Sequence, residues 1–141
     1  MSGIVVGYDG SDCAELALDT ALALAVALGE PLLVAYAAEP PFRSVGEEFG
    51  EHRRALEELG GDVTDQAVER ARQRGVEAEA VLLPQRPVDA LIQLAAERGA
   101  RMIAVGASGE GPIAGAILGS VPYKLLHRST VPVLVVPGGR S

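Results

Sequence analysis

The chain has 141 residues, and 12 Lys+Arg against 19 Asp+Glu leave a formal charge of −7. That length suits one domain over residues 1–141 with a core of useful size, and 48% hydrophobic with 22% charged residues excludes wholesale disorder. The acidic balance argues against a sequence-independent nucleic-acid binder, which needs basic surface to neutralise phosphates. A single cysteine, Cys13, supports neither an intramolecular disulfide nor a thiolate metal cluster. No basic segment precedes the first apolar run, as a secretory leader would require. The most apolar window, residues 20–29, is about half a membrane span. A cytoplasmic protein with no membrane partner is expected.

Residues 4–8 (IVVGY) form a short apolar run of the kind that suits a strand buried on both faces. It empties into Asp9-Gly10-Ser11, a turn cluster in which Ser11 is placed to cap a helix. Asp12 and Glu15 follow in the first turn, where acids suit the positive helix end. The Ala- and Leu-rich segment to Leu28 has Leu18, Leu22, Ala25 and Val26 on one face, with Gly29 as its stop. Residues 31–38 (PLLVAYAA) read as a second buried strand. Glu39-Pro40-Pro41 ends it, and the mixed stretch to about residue 50 reads as a loop.

From about residue 51 to 74, Leu56, Leu59, Val63, Ala67 and Ala71 recur at helical spacing. Gly60-Gly61 in the middle lowers that helix's stability by roughly 2 kcal/mol relative to alanines and permits a kink. Residues 77–83 (EAEAVLL) give a third strand, and Pro87 opens a helix with Val88, Leu91, Ile92 and Ala95 on one face and Gly99 at its end. Residues 102–105 (MIAV) give a fourth strand, residues 120–128 a short helix and residues 133–136 (VLVV) a fifth strand. Strict strand–helix alternation predicts an α/β protein with an open, parallel, doubly wound sheet, in which ligands bind at the carboxyl ends of the strands.

At that end of the fourth strand, Gly106, Gly109, Gly111, Gly115 and Gly119 fall within fourteen residues. Glycine lets a ligand approach the backbone, and free N–H groups at the start of the helix opened by Ser120 suit phosphate. From residue 102 onward the charges are Lys124, Arg128 and Arg140 against Glu110 alone, a locally basic end that favours an anionic guest. The alternative is a glycine-rich connector with Ser120 as a plain helix cap.

The spacing Gly106-x2-Gly109-x9-Gly119-Ser120 resembles the nucleotide-binding signature of the universal stress protein family. The opening Val5-Val6-Gly7-Tyr8-Asp9-Gly10-Ser11 and the closing Val131-Pro132-Val133-Leu134-Val135-Val136 are also similar to that family's ends. The resemblance implies a Rossmann-like three-layer sandwich of the adenine nucleotide alpha hydrolase type, strand order 3-2-1-4-5, binding ATP. It places Gly106 and Gly109 beside the ribose and phosphates, and Gly119, Ser120 and Val121 on the phosphates. Asp9 would lie near the nucleoside, and the backbone of Ala37 would meet the adenine. A carboxylate such as Asp9 accepts from ribose hydroxyls or the adenine amino group and repels phosphate. Mg²⁺ or Mn²⁺ is expected with the triphosphate, whose crowded negative charge needs a counter-ion. Two positions depart from the pattern. Gln85-Arg86-Pro87 stands where many members have Gly-x-Pro, bringing Arg86 near the rim, and Pro122 removes one N–H from the last helix.

Other chemistries find less support. Asp9 as a phosphoacceptor needs companion acids and a lysine at a strand end, and the one lysine, Lys124, lies within the last helix. Cys13, between Asp12 and Glu15, lacks the electropositive setting of a reactive thiol. His52 and His127 are isolated, and His127 suits the negative end of its helix. No phosphate-loop lysine motif, nucleophile elbow or zinc-binding helix motif occurs. The reading is therefore a regulatory binding module that acts through shape or partner affinity. The competing readings are a slow ATPase or nucleotidyl-transfer enzyme, and a dimeric scaffold that binds no nucleotide. The apolar edge formed by residues 131–136 invites another strand, while Pro132 and Pro137 fit a protected edge equally well; the family resemblance implies a homodimer paired antiparallel through that strand.

Overall fold

The apolar runs become the strands of one sheet in a computed structural model that describes residues 3–38, 47–107 and 120–138, with backbone only at residues 47–49, 52 and 53. In chain order the elements are β1 (Ile4–Gly7), α1 (Asp12–Leu28), β2 (Leu32–Ala37), α2 (Glu47–Gln73), β3 (Ala78–Leu83), α3 (Pro87–Arg98), β4 (Met102–Gly106), α4 (Ser120–Arg128) and β5 (Val133–Val136). All strand pairings are parallel, in the order β3-β2-β1-β4-β5. Each crossover needs a helix, and alternating side chains along every strand feed two cores. Ile4, Val6, Leu32 and Val34 face α1 and α2, whereas Val5, Leu33, Ile103 and Val105 face α3 and α4. The order reverses at β1, whose neighbours are β2 on one side and β4 on the other, so the topological switch point lies over β1.

Helix α1 starts as its sequence predicts. The Ser11 hydroxyl oxygen accepts from the Ala14 N–H at 3.2 Å, and Gly29 ends the helix in the left-handed region at φ +69°. Its buried face is small: Ala14, Ala17, Ala21 and Ala25 join Leu18 and Leu22. This alanine seam brings α1 close to the sheet and turns Val26, expected on the inner face, out to solvent.

Helix α2 begins at Glu47, inside the stretch expected to be loop, and runs through Gly60-Gly61. Gly60 has a packing reason: a Cβ there would lie 2.9 Å from both Leu82 Cδ2 and Tyr36 Cδ1. The inward stripe runs through Leu56, Gly60, Thr64, Ala67 and Ala71. Leu59, expected to be inside, is 63% exposed because the glycine at 60, not the leucine at 59, faces the strands.

Candidate functional site

The strands end at unequal heights. The last β1–β2 pair is Gly7 with Ala35, and β2 continues to Ala37; the last β1–β4 pair is Val6 with Ala104, and β4 continues to Gly106. Both flanking strands therefore run two residues past their pairing with β1, and a notch opens over it. Its floor is the turn Tyr8-Asp9-Gly10-Ser11. Tyr8 still donates its N–H to the Ala35 carbonyl at 2.9 Å. Asp9 is exposed, and one of its carboxylate oxygens accepts from the Ser11 N–H at 2.9 Å. Gly10 adopts φ +83°, a conformation that glycine takes without strain, and this lets the chain swing from strand to helix.

Ala37 forms one wall. Backbone groups alternate sides along a strand, so Ala35 and Ala37 address β1, while Ala38 donates to the Leu83 carbonyl of β3 at 3.1 Å. Because β1 has already left the sheet, the ladder supplies no partner for the N–H and C=O that Ala37 turns toward the notch. A donor and an acceptor side by side on one backbone residue can read the edge of a planar heterocycle.

Gly106 ends β4 on the other wall, held in register with Val136 of β5. A Cβ there would lie 2.8 Å from the Cβ and carbonyl oxygen of Cys13 and 3.0 Å from its carbonyl carbon. The missing side chain thus makes room for the first turn of α1, a packing demand that glycine spacing alone does not reveal. Gly109 and Gly119 lie outside the described residues. Ser120 opens α4 and is exposed, Val121 is half-buried against the α3/α4 core, and Pro122 is buried. The first turn of α4 presents N–H groups without helical partners, one fewer than usual because of Pro122.

The local basic character is weaker than the charge count implies. Arg128 lies in the last turn of α4, about 12 Å of helix from Ser120, and its guanidinium pairs with Asp89 at 2.8 Å. Arg140 lies outside the described residues, and Lys124 is exposed. His127 packs edge-on against Tyr123 with ring centroids 4.6 Å apart. In the departing triplet, Pro87 takes the first helical position of α3, and Arg86 is exposed just before it. Gln85 turns along α3: its amide donates to Gln93 Oε1 at 3.0 Å, and Gln93 in turn donates to Glu97 at 2.9 Å.

Sequence reasoning missed the clamp beneath the notch. Tyr8 is 4% exposed, and its hydroxyl donates to Glu15 at 2.7 Å. Arg70 of α2 bridges Glu15 and Asp19, joining α2 to α1. Burial first, then the hydrogen bond to Glu15 and its negative charge, push the Tyr8 phenol well above its ordinary range. The available signal was a tyrosine closing an apolar strand together with acids four apart on the next helix. A groove of about 650 Å³, bordered by Pro31, Arg72, Gly75, Glu77 and Arg98, lies at the amino ends of β2 and β3, the pole opposite the notch.

A profile of the Universal stress protein family matches residues 1–137. The chain is 38% identical to a universal stress protein from Thermus aquaticus, encoded in the QAH/OAS sulfhydrylase 3' region, over 94% of this chain and 96% of that one. It is 32% identical to universal stress protein YxiE of Bacillus subtilis over 94% of this chain and 97% of the relative. A crystal structure of a universal stress protein in complex with cAMP superposes with a TM-score of 0.74 at 33% identity, covering 98% of each chain. With the sheet order, the notch and these matches in agreement, the chain belongs to the universal stress protein family.

Proposed function

We propose that this protein binds an adenine nucleotide across the carboxyl ends of β1, β2 and β4, that ATP is the physiological ligand, and that occupancy changes its shape or its affinity for a partner. The observation that carries the reading is the cAMP complex of a relative 33% identical over nearly the whole chain. The notch supports it. Asp9 offers a carboxylate to ribose hydroxyls or the adenine amino group, Ala37 offers a backbone N–H and C=O to the base, and the start of α4 at Ser120 and Val121 offers N–H groups to phosphate. Gly106 and Gly109 complete the ribose side, and Gly119 the phosphate side.

Among the described residues no group of three or more His, Cys, Asp or Glu is arranged to hold a metal. Mg²⁺ or Mn²⁺ would therefore be carried by the triphosphate oxygens, with water completing its shell, rather than by a protein cage. The protein acts as a homodimer in this reading. Among the described residues β5 pairs only with β4, leaving its outer edge open, and Val133, Leu134 and Val135 are only half-buried. No helix among the described residues is long and apolar enough to cross a membrane, and we assign the protein to the cytoplasm.

Calorimetric titration with ATP, AMP, cyclic AMP and GTP, each with and without Mg²⁺, tests the reading. Saturable binding of ATP, strengthened by Mg²⁺ and at least tenfold tighter than that of GTP, is expected. Absence of binding by every adenine nucleotide refutes it.

A further inference from the structure

Helix α2 is longer than the sheet it covers. Gly60 abuts Tyr36 and Leu82, each the second-last residue of its strand, and Val63 lies against Gly10 in the Asp9 turn. From that level the helix runs down over the core through Ala67, Val68 and Ala71. Residues 47–59 therefore extend past the carboxyl edge of the sheet, about 20 Å of helix on the side of the notch. Of the side chains described in this overhang only Leu56 is buried, at 6% exposure, and it belongs to neither core cluster.

The helix is weakened where it leaves the sheet. Gly60 is required by close packing, but a Cβ at Gly61 would meet nothing within 4 Å, and its φ lies outside the left-handed range. Neither sterics nor conformation asks for glycine at 61, so its effect is to lower helix stability there. One turn below, buried Thr64 donates its hydroxyl to the Gly60 carbonyl at 2.7 Å and approaches that of Gly61 at 3.4 Å. Such back-bonding competes with the helix ladder and favours bending. The three features converge on one turn, and Val63 Cγ1 in that turn lies 3.3 Å from the place a Cβ on Gly10, the residue following Asp9, would take.

We propose that residues 47–59 form a hinged arm that moves as a unit about Gly60-Gly61 and gates the notch, with Leu56 as its contact in the closed position. The gating half of this proposal rests on the nucleotide reading above; the hinge does not. Hydrogen exchange on the full-length protein, read by mass spectrometry, separates the two. In the unliganded protein, amides of residues 51–59 exchange at least tenfold faster than those of residues 65–73, with a step at Gly60-Gly61. Gly61→Ala slows exchange of the whole arm about fivefold, the change expected from glycine-to-alanine helix propensity, and leaves residues 65–73 unchanged. Gly50→Ala, within the arm where a Cβ meets only Arg54 Nη1 at 3.9 Å, has no such effect beyond its own turn.

Uniform exchange along α2, a gradual gradient without a step, or equal slowing by Gly50→Ala would each overturn the hinge, the last two by showing simple end-fraying. Saturating Mg-ATP then slows arm exchange in the wild-type protein. Bound ATP with unchanged arm exchange refutes the gate. If calorimetry shows that ATP does not bind, the nucleotide reading and the gate fail together, while the unliganded exchange pattern still decides the hinge.

Discussion

Gly106→Ala tests whether α1 and β4 are held at contact distance by a missing methyl group. The added Cβ would lie 2.8 Å from Cys13 Cβ and O and 3.0 Å from Cys13 C, all but one of them atoms of the main chain. Reaching ordinary contact requires the strand or the helix to retreat by roughly half an ångström, and close-packed interiors resist that. Overpacking of this kind costs about 1–3 kcal/mol, and a backbone obstacle puts the change in the upper half of that range. Gly60→Ala is the internal comparison. Its Cβ would meet side-chain atoms of Leu82 and Tyr36 at 2.9 Å, which can rotate away, and alanine returns up to about 1 kcal/mol of helix propensity. Urea unfolding followed by circular dichroism reads both. With a slope near 2 kcal/mol per molar, Gly106→Ala lowers the midpoint by roughly 1 M, and Gly60→Ala lowers it by less than half as much. An unchanged midpoint and slope for Gly106→Ala, or a larger loss for Gly60→Ala, would refute the packing argument.

The clamp and the site yield further expectations. Tyr8→Phe removes the hydroxyl donor to Glu15 and costs about 1–2 kcal/mol at pH 7, measured as a urea midpoint shift. The pH sign follows from the raised phenol: below pH 10 both folded and unfolded forms keep the proton and its stabilisation is complete. As pH rises further the unfolded chain ionises first, so the wild-type protein loses about 1.4 kcal/mol per pH unit relative to Tyr8→Phe, and a constant gap between pH 9 and 11 would contradict it. Ser120→Ala, at an exposed position opening α4, should weaken ATP binding about five- to tenfold in calorimetry while leaving the melting temperature of the unliganded protein unchanged. Light scattering coupled to size-exclusion chromatography should return about twice the chain mass, and a monomer at micromolar concentration would remove β5 as a dimer edge.

The alternation of strands and helices was legible because each element carries its own local signal. Ser11 and Gly29 bracket α1, Pro87 and Gly99 bracket α3, and the strands read as unbroken apolar runs. Side-chain facing was less legible where small residues set the contact. Periodicity weights large apolar groups, so it placed Val26 and Leu59 inside, whereas the actual seams run through Ala21 and Ala25 in α1 and Gly60 in α2. The start of α2 was hidden because residues 47–55 (EEFGEHRRA) carry no apolar period. At the site, Asp9 was readable as a turn acid and Ser120 as a helix opener. The packing demand at Gly106 was not legible, because a Cβ there would meet Cys13 at 2.8 Å and only the spatial neighbour reveals it.

The depth of the notch limits what the sheet can do alone. Two strand residues rise about 7 Å above the last β1 pairing, enough to line the edge of a base or a ribose but not to surround a nucleotide. Enclosure therefore has to come from elements that stand above the sheet. Among the described residues the overhang of α2 is the element of that kind on the β2 side, and it leaves the sheet beside Tyr36, one residue before Ala37. In the same turn of α2 Val63 Cγ1 lies 3.3 Å from the place a Cβ on Gly10 would take, and Arg70, two turns lower, holds α1 through Glu15 and Asp19. Helix α2 is thus anchored at its lower half and weakened at Gly61. The hinge proposed above follows that division, with a lower half of α2 tied to α1 and the sheet and an upper half joined to it through two glycines.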